Sequence, residues 1–149
     1  MQEVIGNYEQ QAYSARKLLG RSMRGQTVAV LRISAGGVTL YGSDNLGYTG
    51  GVIYGDLGLQ PHSLVRHLSR GRKFVNLTDE ALSCLAADHL FITFDAQEGE
   101  GRELLDTALW QSLPAVRNRC VYEMDFMAWM NYGVLSHQRK IQDVLGVLA

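Results

Sequence analysis

The sequence predicts an α/β domain, a mostly parallel central sheet with helices packed on both of its faces. Two near-continuous apolar runs, residues 28–33 and 89–94, read as strands covered on both sides, because a strand with one solvated face alternates polar and apolar residues. Around them, apolar residues recur at helical spacing, and strand-like and helix-like stretches alternate with short connections. That alternation is the pattern of a three-layer lobe. At 149 residues and 46% apolar content, the chain suits a single core.

Tyr8, Ala12, Ala15 and Leu19 form the first helical stripe, with Arg16 and Lys17 on the other side and Gly20 as the expected stop. The strand over 28–33 follows. Gly36 and Gly37 turn the chain, and residues 38–41 are a short extension or the return arm of a hairpin. Gly42, Gly47, Gly50 and Gly51 mark a loop that needs backbone freedom or close approach to another group. Residues 52–57 read as a short helix stopped by Gly58 and Pro61. Residues 62–73, with Arg66, Arg70, Arg72 and Lys73, read as a helix and an exposed basic loop.

Thr78 is a helix N-cap, flanked by Leu77 and Leu82 as a hydrophobic staple. Asp79 and Glu80 then fall in the first turn, where the helix dipole favours acids. The second buried strand is 89–94. A helix over 98–109 buries Leu104, Leu105, Ala108 and Leu109, residues 120–124 give a third strand, and Ile141, Val144, Leu145 and Leu148 form the stripe of a closing helix.

Composition excludes several functions. A net charge of −1 gives no basic face for nucleic acid. No apolar run approaches the roughly 20 residues of a membrane span. Residues 1–24 are polar and amphipathic, unlike a signal peptide. Cys84 and Cys120 read as two buried free thiols, which leans toward a reducing compartment. The chain has no Gly-x-Ser-x-Gly elbow, no phosphate loop and no His-Glu-x-x-His. His62, His67, His89 and His137 share no metal-ligand spacing. An enzyme is therefore not expected, and no catalytic or metal-ligating residue is assigned. The alternative is a small α/β enzyme using the carboxylates Asp95, Glu98 and Glu100, although a solvated helix start is the commoner cause of such a cluster.

Ligands of open α/β sheets bind outside the carboxyl ends of the strands, here at or just after Ile33, Phe94 and Met124. Arg32 interrupts an apolar strand near that end. A buried guanidinium must meet an anion, so Arg32 is either in a structural ion pair with Asp95 or Asp125 or an anchor for an oxygen-rich ligand. Trp129 and Tyr132 lie between the last strand and the last helix, and Trp129 either plugs the core or walls a cleft. Tyr41, Tyr48 and Tyr54 surround the glycine loop, and Tyr48 joins Arg32, Trp129 and Tyr132 in the expected ligand-binding set.

From Thr27-Val-Ala-Val-Leu-Arg-Ile-Ser34 onward the chain resembles the carboxy-terminal lobe of the siderophore-binding proteins that serve iron ABC importers. The resemblance continues through Leu57-Gly58-Leu59, Asp79-Glu80-Ala-Leu82 before Ala87-Asp88, Trp110-Gln-Ser-Leu-Pro-Ala-Val116, Val121-Tyr122 and the closing helix. It implies one lobe of a two-lobe, class III binding protein that is periplasmic-binding-protein-like. Residues 1–25 would be the end of the inter-lobe helix and its connector, and residues 26–149 the ligand-binding lobe. The partners implied are a ferric siderophore, a missing N-terminal lobe and an ABC permease that docks on Glu80. No cofactor is implied, since iron enters only within the chelate.

A similar module is also fused to AraC-type DNA-binding domains as a cytoplasmic iron sensor, and residues 129–137, Trp-Met-Asn-Tyr-Gly-Val-Leu-Ser-His, are similar to those fusions. With its thiols and no export signal, the chain leans toward that cytoplasmic regulator. The alternatives are an extracytoplasmic, membrane-anchored lipoprotein and a protein-docking module. In each case the lobe itself neither touches nucleic acid nor inserts into a membrane.

Overall fold

The computed structural model describes residues 2–34, 37–42, 51–68, 74–94, 102–125, 129 and 134–148. Helix α1 (Gln2–Ser22) buries Ala12, Ala15 and Leu19 on one face and exposes Arg16 and Lys17, as the spacing predicts. Gly20 lies inside this helix and does not stop it. The stop is Gly25, whose φ of 78° is the left-handed conformation that ends helices.

Strand β1 (Thr27–Ser34) and β2 (Gly37–Tyr41) form an antiparallel hairpin, so residues 38–41 are a return arm. A π-helical turn, Gly51–Asp56, replaces the expected short helix. Gly58 follows at φ 68°, and a Cβ there would stand 2.9 Å from Nε of Arg16. Backbone conformation and close approach both require glycine at this position.

Then come β3 (Gln60–Pro61), α2 (Ser63–Leu68), β4 (Phe74–Leu77) and α3 (Asp79–Ser83). Thr78 caps α3 as expected, its hydroxyl accepting the Ala81 N–H at 3.1 Å. Strand β5 (His89–Phe94) falls on the second apolar run. Of the single helix expected over 98–109, residues 98–101 lie outside the described residues, and the remainder is a 3-10 turn, Arg102–Asp106, and a separate α4 (Ala108–Gln111). Thr107 divides them: its hydroxyl donates to the Leu104 carbonyl at 2.7 Å and accepts the Trp110 N–H at 3.2 Å, closing one turn and capping the next. Helix α5 (Pro114–Arg117), β6 (Val121–Glu123) and α6 (Val134–Leu148) complete the chain.

The sheet order is β4-β2-β1-β5-β6, with β3 paired to the start of β1. β3 and β5 run parallel to β1, and β6 runs parallel to β5. β2 is antiparallel to β1, and β4 to β2. β1 is therefore the central strand, and Val28, Ala29, Val30 and Leu31 have no exposed surface.

Residues in register share a face of the sheet. Val30, Phe91 and Tyr122 stand in one row, and Phe91 stacks on Trp129, whose indole N–H donates to Asp143 of α6. That face is covered by α6 and by α1, which packs against it. Ile33 and Val38 point to the opposite face, toward Leu82 of α3 and Leu109 of α4. Helices on both faces give the predicted three layers.

The cysteines depart from expectation. Cys84 is exposed at the end of α3 and Cys120 is half-buried, and both are free. The five-residue α3 turns its buried side inward through Leu82, so the position two residues later faces solvent.

Candidate functional site

The carboxyl half of the sheet carries a polar row on the face shared with α1 and α6. Asn76, Thr39, Arg32 and Thr93 stand in register across β4, β2, β1 and β5. The Thr39 hydroxyl donates to Oδ1 of Asn76 at 3.1 Å. Arg32 is half-buried. Thr93 is fully buried, and its hydroxyl finds no hydrogen-bond partner among the described residues. One row nearer the amino end the character changes to aromatic: Tyr41 packs edge-on to Phe74, and Phe91 packs against both Tyr122 and Trp129, with centroids at 5.5 and 5.4 Å. A guanidinium beside hydroxyls, above a stiff aromatic layer, is suited to holding an oxygen-rich group through its planar donor fork.

Arg32 is thus placed at the strand end, where the sequence put it. Trp129 is not at a surface. It is fully buried, stacked on Phe91, with Nε1 2.9 Å from Asp143, so of its two readings it takes the core one. Its side chain presents no solvent-facing surface to a ligand. Tyr48 and Tyr132 lie outside the described residues, as do Asp95, Glu98 and Glu100. Tyr54 is buried with its hydroxyl on the Val28 carbonyl at 3.3 Å, and burial raises its pKa so that the phenol stays neutral. Glu80 is exposed on the first turn of α3.

Two polar residues on this face escaped the sequence reading. Lys140 is fully buried on α6, its Nζ 3.3 Å from Nδ1 of His137. Burial alone lowers its pKa from 10.5 to about 8. His137 in turn packs against the ring of Tyr8, whose hydroxyl donates to Asp56. The signal was present: Lys140 lies four residues before Val144, on the buried stripe. Thr93 was equally legible as the lone hydroxyl inside an apolar run.

A second polar chain sits at the amino end of the sheet, away from this site. His89 joins Gln26 through Nε2 and Tyr122 through Nδ1, the latter at 2.9 Å. Burial lowers the His89 pKa against the opposing pull of Asp88, and burial followed by the contact with Cys120 raises Tyr122 to about 12. A neutral imidazole therefore donates through Nε2 and accepts the Tyr122 hydroxyl at Nδ1. Among the described residues, no group of three His, Cys, Asp or Glu is placed to hold a metal, and no helix is long and apolar enough to cross a membrane.

The fold is that of one lobe of the FhuD-like, two-lobe class of binding proteins. The chain superposes on the periplasmic binding protein component of a ferrichrome ABC transporter from Bacillus subtilis with a TM-score of 0.87 at 22% identity, covering 99% of this chain and 56% of that one. In sequence it is similar to FhuD of Bacillus subtilis, an iron(3+)-hydroxamate-binding protein, at 24% identity over 123 residues, 81% of this chain and 39% of FhuD. It is also similar to YxeB of the same organism, another iron(3+)-hydroxamate-binding protein, at 27% identity over 110 residues, 71% of this chain and 34% of YxeB. These matches span well under half the length of either curated relative. No family model matches the chain. Both curated relatives are named as binding proteins.

Proposed function

We propose that this chain is the second lobe of a two-lobe, extracytoplasmic binding protein that captures a ferric siderophore for an ABC importer. The observation that carries the reading is the polar row at the carboxyl end of the sheet, with Arg32 as its cation and Thr93 and Thr39 as its hydroxyls. Helix α1 is then the lobe-side end of the connecting helix, within residues 1–25, and residues 26–149 are the lobe. A missing N-terminal lobe completes the cleft. In this reading Arg32, Tyr48 and Tyr132 contact the chelate, and Trp129 acts only through the core, by its stack on Phe91. The names of the two curated relatives favour a hydroxamate chelate. Iron enters only as part of that ligand. The cytoplasmic regulator expected from the sequence has no counterpart among the proteins named above, and the ABC-transporter context of the superposed Bacillus subtilis protein favours the importer reading instead.

The test is a fluorescence-quenching or calorimetric titration of the two-lobe protein with a panel of ferric siderophores. Arg32→Ala is expected to weaken the preferred chelate about 10-fold, the value of one charge-assisted hydrogen bond, with unchanged far-UV circular dichroism. Unchanged affinity removes Arg32 from the site, and no binding by any chelate removes the proposal.

Glu80 is the proposed contact with the permease, since it is exposed and tied to no ligand-facing residue. Glu80→Arg should abolish siderophore-dependent growth while leaving chelate affinity within about twofold, as a remote surface change does. Normal growth of that variant rules the docking role out.

A further inference from the structure

Helix α1, the π-helical turn Gly51–Asp56 and helix α6 each pack against the other two. The seam of α1 is apolar and partly made of small residues: Ala12, Ala15, Leu19 and Met23 are buried along it. Apolar contact has no direction, so such a stripe holds a helix on a surface but resists pivoting weakly. Toward its carboxyl end α1 is seated by shape, with Arg16 lying against Gly58, where a Cβ would stand 2.9 Å from Nε.

At the other end a polar contact supplies direction. The Tyr8 hydroxyl donates to Oδ2 of Asp56 in the π-helical turn. Burial, followed by this hydrogen bond, raises the Tyr8 pKa, so the phenol keeps the proton it donates. The Tyr8 ring rests on the imidazole of His137 in α6, with centroids 6.1 Å apart and planes tilted by 46°. That imidazole is held in turn by the fully buried Lys140, whose Nζ lies 3.3 Å from Nδ1. Tyr8 therefore ties α1 to both of the elements it packs against.

We propose that Tyr8 is a positioning residue: its bond to Asp56 and its seat on His137 fix the direction of α1 on the lobe, and with it the width of the ligand cleft. The inference rests on the reading of α1 as the lobe-side end of the connecting helix. Tyr8 precedes Leu19 by eleven residues, about 16 Å along a helix. A shift of about 1 Å at Tyr8, pivoting on Leu19, tilts α1 by about 4°. A group about 30 Å from the pivot, the breadth of a small domain, then moves by about 2 Å. Hydrogen bonds made across a cleft do not survive a displacement of that size. Tyr8 acts through the helix and not by touching the chelate.

Two variants separate the hydrogen bond from the packing. Tyr8→Phe keeps a ring on His137 and removes the donor, whereas Asp56→Asn keeps an acceptor oxygen for the Tyr8 hydroxyl. On this chain alone, Tyr8→Phe is expected to speed amide hydrogen exchange about 10-fold over residues 9–15, the scale of a hydrogen bond to a charged group, with β1 and β5 unchanged. Asp56→Asn should stay within about threefold of the parent. Exchange in Tyr8→Phe that matches the parent overturns the tie.

On the two-lobe protein, a spin label on the exposed Cys84, in a Cys120→Ser background, is paired with one on the N-terminal lobe. Tyr8→Phe is expected to shift or broaden the inter-lobe distance by about 2 Å without chelate. It should also weaken the preferred ferric siderophore about 10-fold, and Asp56→Asn should keep both values near the parent's. A merely structural role would lower the melting temperature and leave distance and affinity unmoved, and that result overturns the positioning role. If the parent binds no chelate, the siderophore reading falls, and the distance measurement decides for or against Tyr8 by itself.

Discussion

Trp129→Ala should lower the unfolding free energy by about 3–5 kcal/mol, a large part of what a domain of this size has. The indole has no exposed surface, stacks on Phe91 at 5.4 Å and donates to Asp143 at 2.9 Å. Alanine leaves a cavity between the sheet and α6 and removes a partner of the Asp143 carboxylate. Trp129→Phe keeps a ring against Phe91 and loses the N–H, so it should cost about 1 kcal/mol for the hydrogen bond, plus a smaller packing loss. Urea unfolding followed by far-UV circular dichroism reads both. If Trp129→Ala loses less than about 1 kcal/mol while chelate affinity falls, Trp129 is a cleft wall and the core assignment fails.

The second large effect is a dependence of stability on pH set by Lys140. Its folded pKa is about 8, below the ordinary 10.5, because burial disfavours the ammonium. Below pH 8 both folded and unfolded chains hold the proton, and the cost of burying the charge is constant. Between pH 8 and 10.5 the unfolded chain holds a proton that the folded chain has released, so stability rises with pH. Among the described contacts, Nζ of Lys140 lies beside His137, which packs on Tyr8, whose hydroxyl donates to Asp56. Tyr8 and Tyr54 act in the opposite sense above pH 10, because their raised folded pKa values keep protons that the unfolded chain loses.

Stability should therefore climb from pH 8 to a maximum near pH 10 and then fall. Lys140→Met should flatten the climb and leave the protein about 1–2 kcal/mol more stable at pH 7, as replacement of buried charge by an apolar side chain often does. Urea midpoints at pH 7, 8, 9 and 10 measure it. A wild-type midpoint that is level or falls from pH 8 to 10 contradicts a buried ammonium.

The layers of this fold were readable because burial on both faces forces continuous apolar runs, and residues 28–33 and 89–94 became β1 and β5. Local chemistry also read correctly where the mechanism was short-range, as at Thr78, whose hydroxyl caps the helix it precedes. β4 was missed because it lies at the sheet edge: Phe74 and Asn76 are exposed and Val75 and Leu77 half-buried, which leaves too little hydrophobic contrast after a basic loop. The break at Thr107 was missed because helical periodicity continues through it, while two hydroxyl hydrogen bonds override the period. In the site, Arg32 stood out as a charge in an apolar strand. Thr39 beside it and Asn76 beyond Thr39 did not, since only strand register brings them into its row, and register is a non-local property.

The central place of β1 has a consequence for how the protein is made. On one edge the hairpin closes Leu31–Ser34 within a few residues and β3 closes Thr27 and Val28 about thirty residues later, but the other edge waits for β5, about sixty residues downstream. At a synthesis rate of 5–20 residues per second, that interval lasts roughly 3–12 s. Throughout it the growing chain carries Val28–Leu31, the fully buried stretch of β1, with at least one unpaired edge. The ribosome-bound chain is thus exposed to edge-to-edge association for seconds at every round of translation, which makes this segment the natural client of a holding chaperone.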